Sequence, residues 1–306
     1  MALNLTQLRA FLTVVEEGSI NRAAVRLLRA QPAVGRQIKL LEESFGLPLL
    51  ERSSAGVQPT EAGLLLVEHA RLIFQDIARA EAAMAALGQE PAGTVTVAIP
   101  SSLVEQLSTR LYASVKARHP LIKLNLMEGD SHAVASWMRD HRADLALLPD
   151  GEQDISLHSV VSATQTFCFC GNAEAFKVLP ASVTLTEALS YPLALTMQPN
   201  RLRRLIDTAA QHLGCEVQSV VDAGTSHMIS LLLREQAIYT IRPRIGPVPV
   251  TVNGIAYIPI CEPTITRTVS LVWSTAVTLS PAVEAARVCL LDCMRDLDTD
   301  GVRQDV

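Results

Sequence analysis

The 306-residue sequence lacks most features that would place it in a familiar enzymatic, secreted or membrane class. No apolar run reaches the ~18 to 20 residues that a membrane-spanning helix needs. The opening "MALNLTQLRAF" is amphipathic and has no continuous apolar core ahead of a small-residue cleavage site, so it does not read as a secretory leader and the expected location is cytoplasmic. The six cysteines form no disulfide framework. Only Cys168/Cys170 and Cys289/Cys293 are close in sequence, and they read as buried apolar thiols on one strand face and one helix face. The seven histidines show no ligand spacing, so neither a metal nor a resident cofactor is expected. No nucleophile–base set, glycine-rich phosphate loop or paired carboxylate stands out, which argues against the alternative of a two-lobed α/β enzyme.

One further absence is local. The chain has a formal net charge of -5, yet no acid lies between Ile20 and Lys39, a stretch carrying Arg22, Arg26, Arg29, Arg36 and Lys39. Residues 1–58 hold seven basic and five acidic side chains, so a basic head precedes an acidic body. Only the head is suited to a polyanion.

The head reads as helix, helix, tight turn, helix and wing. Asn4 caps a first helix with Leu5, Leu8, Phe11, Leu12 and Val15 at helical spacing. Ser19 caps a second, over Ile20–Leu28, that buries Ala23, Ala24 and Leu27. Pro32 fits the first position of a third helix, where its missing N–H costs nothing. That helix turns Val34, Ile38 and Leu41 inward and stops at Gly46. "LPLLERSSAGVQPT" then reads as a β-hairpin with Gly56 near its tip. The outer face of the helix pair carries Gln31, Gly35, Arg36, Gln37 and Lys39, with Pro32 and Ala33 in its first turn. Such an acid-free face can approach phosphates and enter a major groove. Arg36, Gln37 and Gln31 are candidates for base reading, since arginine pairs with guanine and glutamine with adenine through two hydrogen bonds. Arg22, Lys39 and Arg52 are candidate phosphate clamps.

Thr60 caps a long helix whose seam (Leu65, Leu72, Ile73, Ile77, Ala80, Met84, Leu87) calls for a partner helix, so self-association is expected. "GQEPAG" is a short linker. From Gly93 the pattern becomes β-α-β-α-β, a parallel sheet covered by helices. A second α/β set follows, then "TVSLVWS" and a last helix over about Ala282 to Asp296. Two α/β lobes with ligand space between them is the economical arrangement. The polar tail "DTDGVRQDV" is expected to fray.

These residues resemble the LysR-type transcriptional regulators. The resemblance is carried by Ala23-Ala24, Leu27, Gln31-Pro32-Ala33-Val34, Gln37-Ile38, Leu41-Glu42, Gly46, Leu49, Arg52 and Thr60-Glu61-Ala62-Gly63, and the order of later elements agrees with it over essentially the whole chain. It implies a winged helix-turn-helix at 1–58, a dimerising linker helix and hinge at 59–92, and a periplasmic-binding-protein-like (type 2) effector region at 93–306. Lobe I would comprise 93–163 and 267–300, and lobe II 164–266, with crossovers near Ser162–Gln165 and Pro263–Arg267. It further implies a homotetramer on double-stranded DNA, at an interrupted inverted repeat, with RNA polymerase as a further partner. Three positions depart from the family pattern: Gly35 where serine is usual, Ala30 where serine or threonine is common, and Leu50 where phenylalanine is frequent. The first two remove hydroxyl donors from the DNA face. "LVWSTAVTLSP" is similar to regulators of nitrogen assimilation.

For the effector, "AIPSSLVEQL" places Ser101 and Ser102 where a strand opens a helix. Free N–H groups there favour an anion, and the resemblance puts an effector carboxylate at this turn. "TMQPNRLRRLID" offers Thr196, Gln198, Asn200 and Arg201 at the matching turn of the second lobe. Ser131 and Thr225 lie at further element ends. The expected effector is a small anionic metabolite. A redox-responsive regulator is the alternative, although no cysteine occupies Pro199–Arg203, where peroxide-sensing relatives carry theirs.

Overall fold

The computed structural model describes residues 3–53, 56–85, 90–149, 156–176, 180–234 and 237–299. They form two compact units.

The N-terminal unit contains α1 (Leu5–Glu17), α2 (Ile20–Arg26), α3 (Gln31–Phe45), β1 (Leu50–Ser53), β2 (Gly56–Pro59) and α4 (Glu61–Ala85). Its boundaries follow local chemistry. Asn4 Oδ1 accepts from the Thr6 N–H at 2.8 Å, and Gly18 closes α1 at φ 61°, a left-handed conformation that glycine adopts without Cβ strain. Leu8, Phe11, Ala23, Ala24, Val34, Ile38 and Leu41 pack into one core, with Leu49 of the wing and Val67 and Ala70 of α4. The alanines let α2 and α3 approach closely. Glu42 ties the wing to α3, because its Oε1 accepts from the N–H groups of Leu49 at 2.8 Å and Leu50 at 3.2 Å. β1 and β2 pair antiparallel, as the hairpin reading expects. The side chain of Arg52, Leu87 of the linker seam, and the tail from residue 300 lie outside the described residues.

The larger unit begins with β3 (Gly93–Pro100), α5 (Ser101–Arg118), β4 (Ile122–Gly129), α6 (Ser131–Arg139), β5 (Leu145–Pro149) and β6 (Leu157–Asn172). It continues through β7 (Val183–Thr184), α7 (Leu185–Leu189), β8 (Ala194–Thr196), α8 (Arg201–His212), β9 (Val221–Ala223) and α9 (Ser226–Leu232). β10 (Thr240–Arg244), β11 (Val250–Val252), β12 (Ile255–Cys261), β13 (Thr266–Ser274) and α10 (Pro281–Thr299) complete it.

β3 pairs in parallel with β4 and β5, as the alternating pattern requires. The sheet as a whole is mixed, however, because β13 runs antiparallel to both β5 and β6. The 16-residue β6 is the spine of this unit. Its Leu157–Thr166 portion pairs with β13, and its Thr166–Asn172 portion pairs with β10 and β12 on either side. One strand therefore serves two lobes. In the sequence only its apolar second half, "TFCFCG", carries a strand pattern. The first half, "LHSVVSAT", is largely exposed and carries no buried-strand signature. β7, α7, β11 and β12 are likewise additional to the elements that the sequence pattern predicts. Lobe I has one core around Leu103, Leu107, Leu111, Leu145, Leu271 and Leu290, and lobe II another around Phe167, Phe169, Leu195, Ile206 and Ile258. No helix among the described residues is long and apolar enough to cross a membrane.

Candidate functional site

On the N-terminal unit, Gln31, Pro32, Ala33, Arg36 and Lys39 are exposed along α3, and Gly35 is half-buried. Positions 32, 36 and 39 recur at helical spacing and form one stripe. α3 begins after Ala30, which makes no side-chain cap bond; Pro32 has no N–H to satisfy, and the Ala33 N–H donates to the Ala30 carbonyl at 3.0 Å. A Cβ built on Gly35 meets nothing within 4 Å. The small residue there clears the outer surface and is not required by the packing.

Two predicted contacts, Gln37 and Arg22, sit differently from the simple face reading, as does the neighbouring Arg26. Gln37 is half-buried and lines a groove with Leu5, Arg9, Val34, Phe74 and Ile77, one step around the helix from the exposed stripe. Arg22 donates to the carbonyl of Glu17 at the end of α1. Arg26 pairs with Glu16 at 2.9 Å and Glu17 at 3.0 Å, which withdraws its charge from the face. Lys39 lies 3.7 Å from Glu43, an exposed pair of little energetic weight.

In the larger unit, a cavity of about 480 Å³ lies between the lobes. Ser101, Ser102, Ser131, Thr196, Asn200 and Thr225 all line it. Four helices begin there: α5, α6, α8 and α9. Each presents the positive end of its peptide dipoles. Three starts are self-capped. Asp130 Oδ1 accepts from Ala133 N–H, Asn200 Oδ1 from Leu202 N–H, and Thr225 Oγ1 from Met228 N–H. Only α5 follows a residue, Pro100, whose side chain cannot cap it. The first turn of α5 is therefore the open donor set in the cleft.

Two predicted effector residues are not among those lining the cavity. The Gln198 amide donates to Asp207 Oδ2 at 2.8 Å, and Arg201 is absent from the wall. The arginine that does enter is Arg267, on β13, 5 % exposed. Its Nε donates to Gln165 Oε1 at 2.7 Å and its Nη2 to Ser102 Oγ at 2.9 Å. From the sequence this position reads only as a crossover point. Its signal was an arginine within an otherwise apolar strand, "TRTVSLVW".

The four clustered cysteines are buried. Burial pushes the Cys168 thiol well up, Cys170 to about 11 and Cys293 upward, so the nucleophilic thiolate is disfavoured. Among the described residues no group of histidine, cysteine or acidic side chains has metal-site geometry.

Residues 88–295 match the LysR substrate binding domain, and residues 5–64 match the bacterial regulatory helix-turn-helix protein of the lysR family. The chain belongs to the LysR family. Among curated relatives, this LysR-family chain is 35% identical over 147 residues to the HTH-type transcriptional regulator CfxR of Cupriavidus necator, across 48% of this chain and 46% of the relative. It is 32% identical over 147 residues to the nitrogen assimilation regulatory protein nac of Escherichia coli, across 48% of each. The chain thus spans about half the length of these curated relatives. In fold it is similar to full-length CbnR solved with its target DNA, at a TM-score of 0.67 and 19% identity, covering 95% of this chain and 100% of that one.

Proposed function

We propose that the chain is a sequence-specific DNA-binding transcriptional regulator of LysR type, governed by a small anionic effector bound between the two lobes of its larger unit. The observation that carries this reading is the exposed acid-free stripe of α3, Pro32–Arg36–Lys39, on a helix whose first N–H groups have no side-chain cap. Gln31 and Arg36 are the base-reading residues and Lys39 a phosphate contact. Gln37 and Arg22 take supporting positions at the edge of that surface, and Arg52 is a further phosphate contact. Leu64 and Leu65, each 59% exposed, and Met84 present apolar surface on α4 that suits pairing with a second copy, and tetramer assembly extends that pairing.

The effector's acidic group sits at the first turn of α5, against Ser101, Ser102 and Arg267. Asn200, Thr196 and Thr225 close on it from lobe II. A ligand that touches both lobes binds the closed arrangement better, so it shifts the lobe equilibrium and with it the geometry presented to the promoter.

The test is gel-shift titration of the full-length protein on DNA immediately upstream of its own gene, at two salt concentrations, with Arg36→Ala alongside. Specific, salt-sensitive binding that Arg36→Ala loses supports the reading. Binding that ignores sequence, with wild type and variant alike, overturns it.

A further inference from the structure

A smaller chamber, of about 80 Å³, opens off the inter-lobe cleft, and Ser101, Ser102, Glu128, Leu202, Ser226 and His227 line both spaces. A buried water needs roughly 10–15 Å³ by the same measure, so the chamber holds one carboxylate or phosphoryl group but not a whole metabolite.

Its wall also contains Arg242 and Arg244, two residues apart on β10, and Tyr257 of β12. The two guanidinium carbons lie 5.0 and 4.9 Å from the centre of the Tyr257 ring. Arg242 Nη2 donates to Tyr257 Oη at 2.5 Å, and its Nη1 donates to Ser230 Oγ at 2.9 Å. Ser230 in turn donates to Glu105 Oε1 at 2.7 Å. Glu105 itself stops 3.7 Å from Arg242, an ion pair too long for a hydrogen bond, and its side chain is 57% exposed. Among the described residues, no carboxylate lies within 4 Å of Arg244. The Nε of both arginines is buried without an acceptor.

Two neighbouring cations with unused buried donors form an unfinished arrangement. Like charges repel, and each unmet donor carries its own desolvation cost. An oxyanion answers both. Glu105, reaching across from α5 of lobe I to Ser230 and Arg242 of lobe II, gives partial compensation from the rim.

We propose that this chamber is a second oxyanion subsite, which takes the second acidic group of an effector whose first acidic group sits at Ser102 and Arg267. The proposal rests on the effector-cleft reading above and narrows it to dianions: a dicarboxylate, or an acid carrying a phosphoryl group. Glu105 acts as a rim competitor for Arg242, displaced when the effector's own oxyanion arrives. A free inorganic ion has the same chemistry as that second group, and the experiment separates the two sources.

The experiment is titration calorimetry on the full chain with straight-chain dicarboxylates of four to six carbons, monocarboxylates of equal length, and inorganic phosphate. Wild type is compared with Arg244→Gln and Glu105→Gln. The expected result is at least one dicarboxylate bound tenfold or more tighter than its monocarboxylate partner. Arg244→Gln removes that advantage and leaves monocarboxylate affinity within about twofold. Glu105→Gln tightens the dicarboxylate, a gain that misfolding does not produce. Equal affinity for mono- and dianions, unmoved by either substitution, overturns the subsite while leaving the cleft. Phosphate binding that depends on Arg244, with no dicarboxylate advantage, also overturns the two-ended effector and makes the chamber a separate ion site. If wild type binds no carboxylate and no phosphate, the subsite and the cleft reading fall together.

Discussion

Arg267 Nη2 donates to Ser102 Oγ at 2.9 Å, joining residues 165 apart in sequence. The bond sets a buried guanidinium from β13 beside the uncapped start of α5. A cation, a hydroxyl and free helix N–H groups thus meet on one side of the cleft.

Arg267→Met is expected to weaken binding of an anionic effector by about 10- to 100-fold, since charge-assisted hydrogen bonds contribute roughly 1.5–3 kcal/mol. Arg267→Lys restores the charge but not the planar fork, so it recovers only part of the loss. Calorimetry on the folded variants checks both. Unchanged affinity in Arg267→Met would remove this residue from the site.

Gly35 and Gly63 make a contrasting pair within the N-terminal unit. A side chain at Gly35 enters open space, whereas a Cβ on Gly63 would lie 2.1 Å from the carbonyl oxygen of Leu49. Gly35→Ser is expected to raise stability by about 0.5 kcal/mol through helix propensity and to tighten operator binding by adding a donor. Gly63→Ala should cost about 1–3 kcal/mol through overpacking. Urea denaturation ranks the two, and equal midpoints would refute the packing argument.

Lys39 and Arg36 should separate in their salt response. Lys39→Ala is expected to weaken all DNA about equally and to lower the log–log salt slope by about 1. Arg36→Ala is expected to cost about 1–3 kcal/mol at one operator position and to relax the base preference there. Gel shifts on mutated operators, repeated across a salt series, read both quantities.

Stability should fall as the pH rises above about 9. Burial lifts Cys170 from its ordinary value near 9 to about 11, so between those values the folded chain holds a proton that the unfolded chain has lost. The slope of unfolding free energy against pH is then negative, and the loss from this one group reaches about 2–3 kcal/mol once pH passes 11. Cys168 and Cys293 are shifted in the same direction. Cys170→Ala should flatten the decline between pH 9 and 11 in urea denaturation. A parallel curve for wild type and variant would remove Cys170 as its source.

The head was legible because its signals are local. Caps at Asn4 and Ser19, stops at Gly18 and Gly46, and the spacing of Val34, Ile38 and Leu41 each act within a turn or two of chain. The serine turn at 101–102 was legible for the same reason, as a strand giving way to a helix. The sequence by itself therefore determined the helix order, the acid-free face and the existence of two α/β lobes. Tertiary structure alone decided how β6 is shared between lobes, because its outer half is exposed and has no apolar period. It decided that Arg267 rather than Arg201 enters the cleft, and that Arg242, Arg244 and Tyr257 meet Glu105 in one chamber. Those side chains come from separate elements, and only the pairing of β10 and β12 on opposite sides of β6 brings the arginines to the tyrosine. A local pattern specifies a helix or a turn. A charge site built from strands far apart in sequence is specified by the register of the sheet.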